Sequence, residues 1–180
     1  MSRLPDDSQR RSILRERARR LAVPAAASEG PSAAILELLR FRLGDEEYAF
    51  ETRHVVAVHA LSQLSVMPCT PDHIAGIMNA RGRVLPVMHL GRFFELPQRG
   101  LGDHHRVIHL RAGEIQAGVL ADLGVEVVSR PASQLQRSLP TLTGRRADYL
   151  LGVASDGLIV LDAERILQDP RIVVNEEVAG

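Results

Sequence analysis

The chain has 180 residues, and its 22 basic and 22 acidic residues cancel, so net charge exerts no general pull toward nucleic acid. Every basic residue is arginine, which excludes a phosphate-loop lysine, a Schiff-base lysine and a biotinyl or lipoyl attachment lysine. Cys69 is the single cysteine, so neither an intrachain disulfide nor a cysteine-based zinc cluster can form. No apolar run reaches about 18 residues, and the N-terminus lacks an apolar signal core. The expectation is a soluble cytoplasmic protein.

Residues 1–33 read as a basic tail. Seven arginines face Asp6, Asp7 and Glu16 over residues 1–23, a local charge of +4 that leaves −4 for the rest. Ser8 can cap a helix from about Gln9 to Ala22, with Leu14, Ala18, Leu21 and Ala22 near one face. Pro24 stops it, and "PAAASEGPS" follows as a linker. Such a segment serves as a solvated tail or as an arm for an acidic partner.

From Ala34 onward the pattern changes to short runs rich in Val, Ile and Leu, separated by Gly or Asp turns. This predicts a mainly β domain. Strands are expected near 35–43, 47–51, 55–59, 75–79, 83–88, 106–111, 115–121, 124–129, 150–154 and 158–161. Short helices are expected near 71–74, 89–95 and 162–168, with loop and one helical turn between Pro131 and Ala147.

An internal repeat organises these elements. "IAGIMNARGRVLPVMHLGRFF" (74–94) and "LLGVASDGLIVLDAERIL" (150–167) share one pattern of apolar pair, Gly, strand, turn, strand and short helix. "LLRFRLGDEEYAF" (38–50) and "VIHLRAGEIQAGV" (107–119) are both a strand, a Gly-acid turn and a strand, in the same order. The expectation is two similar five-strand units, about 35–96 and about 105–168, each able to close as a small barrel. Residues 169–180 then form a C-terminal tail.

Reactive chemistry is sparse. Asp103, His104, His105 and His109 form the one metal-like cluster, but no fixed helical spacing holds them. His54, His59 and His89 flank strands without a readable acid or nucleophile partner. Cys69 lies between Pro68 and Pro71 in an extended loop, as a structural thiol. Six aromatic side chains, not interleaved with arginine, offer no stacking platform for single-stranded nucleic acid. One feature asks for an external explanation: the polar turn Asn79, Arg81, Gly82, Arg83 between two apolar strands, where a plain reversal needs no charged fork.

"FRLGDEEYAFETRHVVAV" (41–58), "PCTPDHIAGIMNARGRVLPVMHL" (68–90), "GVLADLGVEVV" (118–128) and "YLLGVASDGLIVLDAERIL" (149–167) resemble the CheW-type coupling proteins of bacterial chemosensory systems. The resemblance covers about Ile35 to Leu167 and makes 34–168 one CheW-like domain. It implies two SH3-like five-stranded barrels side by side, no catalysis and no cofactor. It also implies a scaffold joining the cytoplasmic tip of a chemoreceptor to the regulatory domain of a CheA-type histidine kinase, at receptor arrays on the inner membrane without insertion. Other CheW-like domains are implied partners; nucleic acid is not. The resemblance places Arg81 at the receptor-binding surface, with Asn79 and Gly82 shaping the turn and Val55 and Ile77 as apolar neighbours. The sequence departs from the family at Ala57, Ala80, His89 and the Leu123-Gly124 step. These departures suit a divergent coupler serving motility or gene regulation, the alternative to a chemotaxis role.

Overall fold

The computed structural model describes residues 34–61, 63–96, 106–122, 124–136 and 145–172. Among them the first strands are β1 (Ile35–Leu43), β2 (Glu46–Glu51), β3 (Val55–Ala60), β4 (Ile74–Ala80) and β5 (Arg83–Met88). They are followed by the short helix α1 (Leu90–Phe93). Then come β6 (Arg106–Ala112), β7 (Ile115–Ala121), β8 (Glu126–Pro131), α2 (Arg145–Asp148), β9 (Leu150–Val153), β10 (Ile159–Leu161) and α3 (Ala163–Leu167). Each strand lies within two residues of its expected position, β8 starting at Glu126 rather than at residue 124. The helix expected near 71–74 is instead a single turn: the Ile74 amide donates to the Pro71 carbonyl at 2.8 Å, and Ile74 already begins β4. Pro71 leaves too little chain before the strand for a helix. The N-terminal helix expected near 9–22 lies outside the described residues.

The strands form two five-stranded sheets, in the orders β8-β1-β2-β10-β9 and β3-β6-β7-β5-β4. Moving each strand five places along the chain converts one order into the other, which is the repeat expressed as topology. The halves do not close on themselves, however. The β1–β2 hairpin joins the sheet of β8, β9 and β10, and the β6–β7 hairpin joins the sheet of β3, β4 and β5. The expectation that 35–96 and 105–168 are separate barrels is therefore corrected. The two halves exchange their first hairpins. Strand patterning alone cannot choose the partner of a hairpin, because its sequence encodes its own register and not the sheet edge it joins.

Exchange follows from what the central strands bury. On β2, Tyr48 and Phe50 enter a layer between the sheets, while Ala49 enters the small core of the first sheet with Leu38, Leu158 and Val160. On β6, Ile108 and Leu110 enter the shared layer, while Val107 enters the small core of the second sheet with Met78, Leu85 and Leu120. Both faces of these strands are dry over Tyr48–Phe50 and Val107–Leu110, so their central residues form a buried run rather than an alternating one, with His109 as its polar member. The shared layer is the largest cluster and carries most of the aromatic area, with Phe41 stacked on Phe50 at 5.2 Å and Phe93 tilted on Tyr149 at 5.3 Å.

Each sheet curls, and its two edges meet through one bridge rather than a full ladder. Ser65 and Ile77 exchange two backbone hydrogen bonds of 2.9 Å, and so do Gln136 and Val153. The repeat glycines sit at these crossings. Gly76 has φ of +142°, and a Cβ there would lie 2.3 Å from the Ser65 carbonyl oxygen. Its counterpart Gly152 is in ordinary extended backbone, and its nearest neighbour would be Leu135 Cβ at 3.1 Å. Gly76→Ala is therefore expected to destabilise by about 2 kcal/mol or more, and Gly152→Ala by clearly less. Urea unfolding of both variants checks this; equal costs would mean that the bridges are not what the glycines serve.

One end of the second sheet's interior is polar. His109 is buried, and its Nε2–H donates to Gln116 Oε1 at 2.8 Å. The rings of His59 and His109 lie 5.8 Å apart, and among the described residues His59 Nε2 is buried without a hydrogen-bond partner. Burial, with the charges of His59, Arg111 and Arg83, holds the His109 pKa below its ordinary 6.5, against the opposing effect of the Gln116 bond. The unfolded chain therefore takes up this proton at a higher pH than the folded one, and stability falls as pH drops below about 6.5. His109→Gln keeps a partner for Gln116 and removes the titration. The variant is expected to lose less stability than wild type between about pH 7.5 and about pH 5.5, read by urea unfolding. Parallel losses would show that His109 does not titrate on unfolding.

Candidate functional site

The β4–β5 connection is a two-residue hairpin turn. Ala80 pairs with Arg83, leaving Arg81 and Gly82 at the tip with φ of +54° and +84°. Positive φ at both central positions is the type I′ requirement, best met by Asn-Gly or Gly-Gly. Gly82 meets it freely. Arg81 does so against the steric preference of an L side chain, a cost of about 1–2 kcal/mol. Asn79 holds the turn from within: its Oδ1 accepts the Gly82 amide at 2.7 Å. The Arg81 side chain is exposed and makes no hydrogen bond or ion pair with the described residues. Turn geometry is thus secured by Asn79 and Gly82, and the guanidinium is left for something else.

Behind the turn lies an apolar groove of about 450 Å³. Cross-strand pairs Ile77–Pro86 and Asn79–Val84 place these four side chains on the outer face of the hairpin. The groove floor is Ile77, Val84 and Pro86, continued by Ile115 and Ala117 of the neighbouring β7. Its far wall is Met67, Leu167 and Ile172. Gln116 is the one polar lining residue among the described residues. Val84 is 71 % and Ile115 38 % exposed, so large apolar side chains stand open to water beside an unpaired arginine. Such a combination marks an interaction surface. The groove is where the layer shared by the two sheets reaches the surface, since Ile74, Ala117, Leu167 and Ile172 belong to both.

The far wall is pinned by a compact polar cluster. Arg171 grips Asp169 bidentately, with Nε to Oδ1 at 2.9 Å and the NH2 nitrogen to Oδ2 at 2.7 Å. Tyr149 donates to Asp169 and accepts from Arg171. The Arg171 bonds, with that from Tyr149, hold the Asp169 carboxyl far below the usual carboxylate range despite burial. The Arg171 guanidinium lies 5.2 Å from the Phe93 ring centre, and His73 Nε2 meets the Arg171 carbonyl at 2.9 Å. These bonds fix Ile172 beside the start of β4.

Of the expected site residues, Asn79, Arg81 and Gly82 share the turn, and Ile77 lines the groove behind it. Val55 does not join them. It begins β3, half-buried against the shared layer, on the opposite edge strand of its sheet. Ala80 is buried in the second sheet's own core, so that departure from the family lies inside the fold. His89 Nδ1 accepts the Arg92 amide at 3.4 Å as the cap of α1, the same role that Asp162 plays for α3 through the Arg165 amide at 3.1 Å. Asp103, His104 and His105 lie outside the described residues. Among the described residues no group of three metal-capable side chains occurs, and no helix is long and apolar enough to cross a membrane. Cys69 is exposed in the connection from β3 to β4. The sequence reading missed Pro86, Ile115, Leu167 and Ile172. Ile115, an exposed branched residue just after a turn, was the one local signal among them; the wall is assembled only by folding.

The comparisons with known proteins agree with this architecture. The family model for the CheW-like domain matches residues 37–171. The chain is 29% identical over 146 residues to the chemotaxis protein CheW of Klebsiella aerogenes, covering 79% of this chain and 88% of that protein. It is 30% identical over 141 residues to the protein FrzA of Myxococcus xanthus, covering 75% and 87%. The crystal structure of the scaffolding protein TtCheW from Thermoanaerobacter tengcongensis superposes with a TM-score of 0.68 at 24% identity, covering 80% of this chain and 94% of that one. The curled sheets, their paired order and the family match over three quarters of the sequence converge: the chain belongs to the CheW-like domain family.

Proposed function

We propose that this protein is an adaptor that couples the cytoplasmic tip of a chemoreceptor to a CheA-type histidine kinase. In this reading the groove behind the β4–β5 turn takes the apolar face of a receptor helix. Ile77, Val84, Pro86 and Ile115 receive its apolar anchors. The Arg81 guanidinium meets a carboxylate or helix-end carbonyls on the same helix. Asn79 and Gly82 hold the turn at the required height. Kinase docking would use the packing of one CheW-like domain on another, on surfaces away from this groove, and the adaptor would sit in the cytoplasm at receptor arrays.

The observation that carries the reading is Arg81 itself: a strained, exposed and unpaired cation at the tip of the hairpin whose outer face floors an apolar groove. Strain kept at a surface turn, where glycine would relieve it, is a sign of use by a partner. The alternative, a divergent coupler with another regulator as partner, rests on the family departures. Ala80 lies in the core and His89 reproduces a helix cap, so neither alters the groove.

Arg81→Gly separates function from folding by sign. Glycine relieves the positive φ, so the variant is expected to be more stable than wild type by up to about 1 kcal/mol. It is expected to bind a receptor-tip helical hairpin at least about tenfold more weakly, a charge-assisted bond lost. Thermal unfolding and calorimetric titration check the two signs. A variant that is destabilised and binds normally would make Arg81 a structural residue.

A further inference from the structure

The two sheets are built on one repeat, so each is a control for the charges of the other. Aligning 38–50 with 107–119 makes Arg40 the counterpart of His109, Arg42 of Arg111 and Glu47 of Gln116. The ladders extend the match. Glu126 pairs with Arg40 as Ala57 pairs with His109. Val160 stands beside Ala49 as Val87 stands beside Gly118, which sets Asp156 against Arg83 earlier in the same strands' approach. In the first sheet these positions are balanced: Arg40 is ion-paired to Glu47 at 3.5 Å and to Glu126, and Arg130 to Asp156 at 2.7 Å. In the second sheet every one of those carboxylates is gone, replaced by Gln116, Ala57 and Arg83. Arg83 and Arg111 are exposed, and neither side chain makes a hydrogen bond or ion pair with the described residues. Glu114, at the tip of the β6–β7 turn, pairs with neither of them.

The unbalanced groups converge. β5 and β7 run parallel, so the β4–β5 and β6–β7 turns lie at the same end of the sheet. Strand alternation puts Arg83 on the face of Leu85 and Val87, and Arg111 on the face of Val107 and His109. That face is the second sheet's interior, and Arg83 stands opposite Ala80, which is buried in it. Arg111 stands opposite Gln116. After burial, the charges that hold the His109 pKa down are those of His59, Arg111 and Arg83, so both guanidinia lie within electrostatic reach of one ring. Gln116 Oε1 accepts from His109 at 2.8 Å, which turns its amide N–H groups outward as donors. On the other side of His109 from Arg111, His59 Nε2 is buried and lacks a partner among the described residues, the kind of group that solvent or a ligand satisfies. Val84, the neighbour of Arg83, faces the apolar groove, so this cationic rim is on the other side of the hairpin.

We propose that this rim is a binding site for a dianionic phosphate group, free or as a small phosphomonoester, with the Arg83 and Arg111 guanidinia as its two forks and the Gln116 amide as a third donor. A guanidinium presents paired N–H groups that match two phosphate oxygens at once. Two fixed positive charges without a carboxylate suit a dianion better than a single carboxylate, which one fork would satisfy. The histidines add to the same field: an anion seated between the arginines offsets their charge at His109 and makes its protonated form less costly. The first sheet cannot do this, because Glu47, Glu126 and Asp156 already occupy its cations. The site is distinct from the groove and from Arg81, and it does not rest on the function proposed above.

The test titrates the isotope-labelled full chain, without any partner, with inorganic phosphate, methyl phosphate and acetate at a fixed ionic strength of about 0.15 M. The expected result is saturable amide and side-chain shifts at Arg83, Arg111, His109 and Gln116, with Kd below about 1 mM for one of the two phosphates. The tighter of the two identifies the source, free ion or monoester. Two variants copy the first sheet: Arg83→Asp restores the counterpart of Asp156, and Gln116→Glu that of Glu47. Each supplies a carboxylate to the arginines, as the folded first sheet does, and each is expected to weaken phosphate at least about tenfold. Arg81→Gly is expected to keep at least about half of the affinity, since one charge at the turn tip is largely screened. Absence of saturation by about 10 mM phosphate would overturn the proposal. So would acetate binding as tightly as phosphate, shifts spread equally to Arg42 and Arg106, or loss of binding in Arg81→Gly with none in Arg83→Asp.

Discussion

The structure depends on one shared apolar layer. Phe41 and Phe50 from the first sheet, Ile108 and Leu110 from the second, and Phe93 and Ile166 from the short helices fill it together. Each sheet alone has only a small core of its own, of the order of five or six buried side chains. Cores of that size do not stabilise a unit of about 60 residues, which is marginal even when well packed. The exchange of the β1–β2 and β6–β7 hairpins ties both sheets to the shared layer, because β1, β2, β6 and β7 each bury one face in it. The fold is therefore one cooperative body with two sheets rather than two tethered barrels.

The site follows from the same layer. Where the layer reaches the surface between β7, α3 and the β4–β5 hairpin, its edge is left uncovered by the described residues as the groove. The hairpin forming the groove floor is held at its base by the Gly76 crossing and at its tip by Asn79 and Gly82. The Tyr149–Asp169–Arg171 cluster holds the opposite wall. A groove with rigid walls meets a helix without paying much ordering entropy. In the proposed reading its apolar area supplies affinity, and the guanidinium at the hairpin tip supplies orientation.

Much of this was legible in the sequence, for identifiable reasons. All ten strands could be read because Val, Ile and Leu runs are cut by Gly at the hairpin turns and by polar or Pro-containing connections elsewhere, and the 74–94 and 150–167 repeat carried the pairwise equivalence of the sheets. The turn at Asn79–Gly82 was legible because its residues are local neighbours. Sheet membership was not, since a hairpin's sequence encodes its own register but not the sheet edge it joins. Ile172 and Leu167 could not be assigned to the groove for a similar reason: they arrive there through α3 and the Arg171 contacts, about 90 residues along the chain from Ile77. His89, a departure from the family in the sequence, is a helix cap in the fold.

The central claim is that the outer face of the β4–β5 hairpin is the partner surface. Titrating isotope-labelled protein with a receptor-tip helical hairpin, and following backbone amide shifts, tests it most directly. The account predicts that the largest shifts cluster at Ile77, Arg81, Val84, Ile115 and Gln116. Shifts confined to the β3 edge around Val55, with the groove amides unmoved, would contradict it and place recognition on the opposite edge of the sheet.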